Sequence, residues 1–359
     1  MGRDTEGARR AKRRRGPHGG RCRRVRTREH GDVQGPDERR VRGVAPGDRD
    51  RESPEVPAQT GVLGGRGADG GAGVVDPDAD PAGDAYPDCE VVDAHVHLLP
   101  DDLLNAVYGW FGAETEWQIP TPDAATARAR IRERTDGFVC FPYAHRPGVA
   151  QEMNEWVGRA LADDPACVAL GTVHAGDDDP RAVVRDAFDR GLAGIKLHCV
   201  VQGYPPDDPR LDSVYEELVA RDAPLVIHAS THPFDRGDST LAPERFANVL
   251  DRFPALRACV PHLGLFDTPG FLDLVDEYDV VVDTAVALGP ASRTAADING
   301  DDLPTARLRE HADSVLFGTD YPIRPAAYAD ALRGARECFD SSDHEAVFAG
   351  NARDFFDLY

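Results

Sequence analysis

The sequence predicts a (β/α)8 TIM barrel over residues 89–359, preceded by a disordered, locally basic and low-complexity tail at 1–88. Three observations carry this. From about residue 90 onward, short apolar runs alternate with amphipathic stretches, the signature of repeated βα units. Eight apolar runs can be counted, and 269 residues suit one barrel of roughly 250. Most runs end in a histidine or an aspartate, and barrel enzymes carry their chemistry at the C-terminal ends of strands. A doubly wound open sheet would produce a similar alternation, so the periodicity leaves that alternative standing.

Up to about Asp88 the chain is rich in Arg, Gly, Asp and Pro, without apolar periodicity beyond pieces such as 61–65. Such a segment cannot bury enough surface to offset chain entropy. Lys12 and the three arginines after it read either as a nucleic-acid arm or as part of a disordered, compositionally foreign leader read from an upstream start codon; the second is preferred. The body is different: residues 91–359 carry 23 Lys+Arg against 46 Asp+Glu. That surface would repel phosphates, which argues against nucleic acid or anionic membrane as partner and leaves a small-molecule substrate. Abundant Asp, with one lysine beside 22 arginines in the body, points to a salt-adapted, haloarchaeal type of source.

Seven widely spaced cysteines form no C-x-x-C pair, as expected of reduced core residues. No run reaches the 18 or so apolar residues of a membrane span, and the arginine-rich start lacks a signal peptide's apolar core. A cytoplasmic enzyme is the expectation, with homo-oligomerisation as a common accompaniment.

Taken in order, the candidate strands are 90–97, 137–142, 167–173, 193–199, 225–229, 257–262, 280–285 and 315–319. Helical periodicity fills the gaps at 123–134, 151–162, 180–190, 211–221, 243–253, 271–278 and 303–311, with a last helix at 325–338. The insertion after the first strand, Tyr108 to Ile119, holds Trp110 and Trp117 and reads either as a lid or as satellite packing.

The first strand reads Val91-Val-Asp-Ala-His-Val-His-Leu. Residues two apart on a strand leave the same face, so His95 and His97 converge on one point, and neutral imidazole is a good ligand for a divalent metal. Such a pair alone is weak evidence. The ends of the other strands strengthen it, supplying His174, His198, His228, His262 and Asp320. Eight of the ten histidines after residue 90 fall in or just after strands, a sorting that core histidines would not show.

With these pieces in place the sequence resembles the amidohydrolase superfamily, in the branch that includes aminocarboxymuconate semialdehyde decarboxylase and related hydrolases. The matching segments are Asp93-Ala-His-Val-His, Gly194-Ile-Lys-Leu-His, Leu225-Val-Ile-His, Pro261-His-Leu-Gly, Phe317-Gly-Thr-Asp-Tyr-Pro and the closing Gly350-Asn-Ala-Arg. The resemblance implies a metal held by His95, His97, His228 and Asp320, with His262 as a catalytic histidine and Asp320 also serving as general base. It implies one Zn2+, which lowers the pKa of its water to about 7. Lys196, the body's single lysine, is ambiguous. In the binuclear branch a carboxylated strand-4 lysine bridges two metals, which would make His228 and His262 ligands of the second. In the mononuclear branch, Lys196 and His198 line the pocket, which is the preferred expectation. A plain internal ion pair of Lys196 with Asp320 or another barrel carboxylate is the bland alternative.

Tyr143, His145 and Arg146 after the second strand, His174 after the third, and Tyr321 and Arg324 after the last are candidates for the mouth. Tyr143, His174 and Arg324 are the preferred substrate contacts, because guanidinium geometry suits a carboxylate. The resulting expectation is a metal-dependent hydrolase cleaving a C–N or C–O bond of a small carboxylated molecule. A metal-dependent decarboxylase or hydratase on the same site is the alternative, and a non-catalytic binding barrel the remote third.

Overall fold

The computed structural model describes residues 83–117, 119–161, 164–233, 241–299 and 303–358. Nine strands follow in order: β1 (Val92–Val96), β2 (Gly137–Cys140), β3 (Cys167–Ala169), β4 (Gly171–Thr172), β5 (Ile195–His198), β6 (Leu225–His228), β7 (Ala258–Val260), β8 (Val280–Asp283) and β9 (Val315–Leu316). All neighbouring pairs are parallel, in the orders β1-β2-β3 and β4-β5-β6-β7-β8-β9. Backbone bonds close the ring. Leu170 N–H donates to Cys140 O at 2.9 Å on one side; on the other, Ala94 N–H reaches Phe317 O at 2.8 Å and His97 N–H reaches Tyr321 O at 2.8 Å. The fold is a TIM barrel, as expected, and each of the eight expected strands has its counterpart.

The expected strand at 167–173 is divided into β3 and β4 for a local reason. Asn154, buried on the helix before it, accepts from Thr172 N–H at 2.7 Å and donates to Thr172 O at 2.9 Å. A side-chain amide thus takes the backbone groups that a neighbouring strand would have used. The strand expected to run to residue 262 stops at Val260, because Pro261 has no N–H to donate and the next four residues all have positive φ.

The helices are α1 (Asp101–Glu114), α2 (Ala124–Arg134), α3 (Ala150–Leu161), α4 (Pro180–Asp189), α5 (Cys199–Gln202), α6 (Asp212–Arg221), α7 (Pro243–Arg252), α8 (Thr268–Glu277), α9 (Pro290–Ala295), α10 (Thr305–Glu310), α11 (Tyr328–Cys338) and α12 (Asn351–Phe356). Their starts are readable locally. Asp123 caps α2 through Thr126 N–H, Asp179 caps α4 ahead of Pro180, and Pro243 opens α7 where its missing N–H costs nothing. Each outer helix buries one stripe, such as Phe246, Val249 and Leu250 on α7. In the insertion after β1, Leu104 and Tyr108 of α1 form a satellite cluster with Leu99, whereas Trp110 is exposed.

Inside the barrel, Val92, Ala94, Val139, Phe141, Leu170, Val226, Cys259 and Leu316 form a layer that Phe355, Phe356 and Leu358 meet at the closing end of the chain. The alternate residues of the strands, among them Ile195, Leu197, Ile227 and Val260, belong to the outer core with the helices, as does Val96 beyond a register shift in β1. This alternation turns Lys196, His198, His228 and Asp283 inward. The expected tail at 1–88 lies outside the described residues up to 82. From Gly83 the chain is packed: Ala85 is buried in the main core, so ordered packing begins a few residues before the expected start at 89. Among the described residues no helix is long and apolar enough to cross a membrane, and the six described cysteines are all free thiols.

Candidate metal centre

Two strand ends, those of β1 and β9, bring a compact donor set of three side chains together. His95 Nε2 and His97 Nε2 lie 3.2 Å apart, and each is 3.1 Å from Asp320 Oδ1. Two ligand bonds of about 2.1 Å opened by roughly 95° put their donors about 3.1 Å apart, so this spacing fits a single divalent ion. The remaining ring nitrogens are held so that both Nε2 atoms can point to one place. His95 Nδ1 bonds Asp283 Oδ2 at 2.8 Å, and His97 Nδ1 donates to Phe141 O at 3.1 Å. A hydrogen bond at Nδ1 fixes the tautomer and leaves the Nε2 lone pair to a ligand.

Asp283 was not among the expected site residues. It closes β8 after three valines, so the same rule of polar residues at strand ends would have found it. Fully buried, it also accepts from His262 N–H at 2.9 Å and Ala285 N–H at 3.0 Å. Burial pulls its pKa up, but the charge and hydrogen bond of His95 outweigh this and hold it below the usual range. The same contest is stronger at Asp320: burial raises it, and bonds from His95 and His97 with their charge hold it well below the carboxylate range.

His262 is carried by a run of positive φ from His262 to Leu265. Gly264 has to be glycine here, because a Cβ would run into Phe271. The turn gives His262 Nδ1 to Ala285 O at 3.0 Å, and His262 shares with His95 and Asp320 a set of donor atoms within 4.8 Å of one another. Burial pushes the His262 pKa down to about 4, so its ring is neutral at physiological pH. His228, the expected fourth ligand, is outside that set. Both of its ring nitrogens are buried without a hydrogen-bond partner, and it stacks on His198 at 4.4 Å and 10°.

Six rings make a closed circuit around the mouth: His95 to His97 at 5.1 Å, His97 to Tyr143 at 5.4 Å, Tyr143 to His198 at 5.3 Å, then His198 to His228, His228 to His262 at 5.0 Å, and His262 back to His95 at 4.9 Å. Phe141 lies beneath, with Lys196 Nζ 4.7 Å from its centroid. Lys196 is fully buried and its Nζ has no hydrogen-bond partner. Burial lowers its pKa to about 8, with Asp283 and Asp320 opposing.

Two expected mouth residues have other employment. Arg324 is buried rather than presented to a substrate: its guanidinium lies 5.4 Å over the rings of both Tyr321 and Tyr328 and it bonds Ala326 O. The chain folds back after Tyr321 and covers it, which strand-end position could not show. His174 is also buried, with Nδ1 accepting from Gly176 N–H at 2.9 Å and its ring edge on Tyr204. Tyr143 and His198 stay on the ring circuit, as their positions after strands suggested.

A parallel barrel with a histidine and aspartate donor cluster at its C-terminal mouth is the arrangement of a TIM-barrel enzyme with a candidate metal site. The Amidohydrolase family model matches residues 92–358, and the chain belongs to that family. No curated protein sequence matches it. Among solved structures the chain is similar to an uncharacterised TIM-barrel protein of Bordetella bronchiseptica, at 16% identity over 75% of this chain and 98% of that one, with a TM-score of 0.56. A manganese-bound mutant of 5-carboxyvanillate decarboxylase from Novosphingobium aromaticivorans, holding 3-methoxy-4-hydroxy-5-nitrobenzoic acid, aligns at 16% identity over 78% and 100% with a TM-score of 0.53. A 2,6-dihydroxybenzoate decarboxylase in complex with 2,6-dihydroxybenzoate aligns at 16% over 75% and 100%, with a TM-score of 0.54. At these identities the likeness is one of fold.

Proposed function

We propose that the domain is a metal-dependent decarboxylase of a small, flat carboxylic acid, with His95, His97 and Asp320 holding one divalent ion and His228 supplying a fourth donor. The observation that carries this reading is the set of unpartnered buried groups beside the triad, Lys196 Nζ and both nitrogens of His228. A buried polar group without a partner costs about 1–3 kcal/mol, so these groups call for a ligand: oxygen lone pairs satisfy Lys196 Nζ and the one N–H of the neutral His228 ring, and a cation suits its other nitrogen. The ring circuit makes a mouth lined by aromatic faces and edges, which suits a planar substrate. Two relatives of the same fold are named as decarboxylases of aromatic acids, and one contains manganese.

When bound, a divalent ion would orient the substrate's oxygens and neutralise their charge. Lys196 holds the carboxylate by charge. Phe141 and the ring walls keep water away, which favours departure of neutral CO2 over the charged carboxylate. The electron pair of the broken C–C bond stays on the carbon that bore the carboxylate, and that carbon takes up a proton that comes from solvent. His262, neutral with its Nδ1–H on Ala285 O, offers an Nε2 lone pair that would take this proton from water and hand it on.

Hydrolysis of a C–N or C–O bond is the second reading, favoured by Asp320 Oδ1, whose position beside both Nε2 atoms is that of a base for a metal-held water. Purified protein in high salt with Mn2+ or Zn2+, offered hydroxylated benzoic acids, lactones and amides, separates the two. CO2 release from a carboxylic acid supports the first. Turnover of lactones or amides without CO2 release replaces it with the second.

A further inference from the structure

The triad is built across the seam where the barrel closes. His95 and His97 belong to β1, the first strand, and Asp320 follows β9, the last. Here the two strands are joined by few bonds, one of which, Asp320 N–H to His95 O at 2.9 Å, lies in the triad itself. Asp320 also sits at φ 69°, a left-handed backbone that a non-glycine residue keeps only where its neighbours impose it.

Asp93 supplies that constraint from the side away from the metal. The β1–β2 register shifts between Asp93 and Val96, so Asp93 turns outward toward α11 while His95 turns inward. Its carboxylate is fully buried and accepts four hydrogen bonds. Oδ1 takes the N–H of His95 and the N–H of Thr319, both at 3.1 Å. Oδ2 takes the hydroxyls of Thr319 at 2.5 Å and of Tyr328 at 2.9 Å. Thr319 Oγ1 in turn accepts from Tyr321 N–H at 3.1 Å. Both peptide neighbours of Asp320 are therefore tied, one directly to Asp93 and the other through Thr319.

We propose that Asp93, acting through Thr319, is a positioning residue that sets the three donor atoms at ligand spacing across the barrel seam before any ion arrives. It touches neither ion nor substrate. It holds His95 and Asp320 in one rigid frame, so that metal binding does not have to order the seam.

The inference rests on the metal reading of the triad, and titration calorimetry of the full-length apoprotein with Mn2+ and with Zn2+ separates the two. In Thr319→Val the shape remains and the hydroxyl is lost. Its dissociation constant should rise 10- to 100-fold, while the near-UV circular dichroism of the apoprotein stays that of the wild type and Thr319→Ser remains within threefold of it. A dissociation constant within threefold of wild type in Thr319→Val, whatever happens to its melting temperature, makes the network structural and overturns the proposal. Should Thr319→Val not fold, Tyr328→Phe, which removes one donor from the same carboxylate, decides on the same threefold limit. A wild type that binds neither ion overturns the metal reading and this inference with it.

Discussion

Removing one of the three donors should abolish the stabilisation that metal confers while leaving the barrel folded. His97 is the donor of choice, since its ring touches Phe141 and Tyr143 by edges at the strand end rather than within the packed layer. Truncation to alanine loses those contacts and the Nδ1 bond to Phe141 O. That costs on the order of 2–3 kcal/mol, within a native stability of about 5–15 kcal/mol. In the wild type, metal at a hundred times its dissociation constant should stabilise by about 2.7 kcal/mol. For a domain of this size that corresponds to roughly 5–10 °C in melting temperature. If His97→Ala weakens binding about a thousandfold, the same metal concentration gives only about 0.06 kcal/mol, below half a degree. Differential scanning fluorimetry with and without Mn2+ or Zn2+, together with metal analysis of the isolated protein, reads both quantities. His262→Ala should keep a shift of wild-type size and lose turnover. A full shift and one ion per chain in His97→Ala would refute the triad. Loss of the ion in His262→Ala but not in His228→Ala would exchange the roles of those two histidines.

The remaining predictions concern the ion count, the chain ends and the surface. Lys196→Arg keeps a charge and cannot form a carbamate, so a one-ion site should retain its ion in metal analysis; two ions in the wild type, both lost in the variant, would establish a bridged pair with His228 and His262 as ligands of the second. Deleting residues 1–82 should leave soluble protein with unchanged metal content, whereas a cut that also removes the buried Ala85 should lower the melting temperature. Residues 91–359 carry 46 acidic against 23 basic side chains. Their repulsion should make melting rise from dilute buffer to molar KCl, and equal melting temperatures would count against a salt-adapted surface.

Much of the site could be read from residue order because strands and their ends are local features. Alternation places side chains by parity, and a polar residue closing an apolar run lands at the mouth wherever that run sits in the barrel. On that basis Lys196, His198 and His228 lie where alternation puts them, whereas His95, His97, His262 and Asp320 reach the mouth at strand ends by way of a register shift in β1 and positive-φ turns. What the same reasoning could not reach depends on how segments distant along the chain meet. Arg324 follows a strand end as His228 does, yet the turn after Tyr321 buries it over two tyrosine rings. The division of the third strand comes from Asn154, which reaches Thr172 across 18 positions. Asp283 holds His95 from 188 positions away, and its role exists only once β8 lies near β1. Gly318 shows the two levels in one residue. Its presence is plain in the sequence, but the reason for it is the approach of β9 to β1, where an added Cβ would come within 2.9 Å of the Cβ of His95. Sequence by itself determined which polar residues close the strands, since an apolar run and the residue that ends it are local features. Only the tertiary structure decided which of them share an ion-sized space and which second carboxylate orients them, because those depend on barrel closure and the register at its seam.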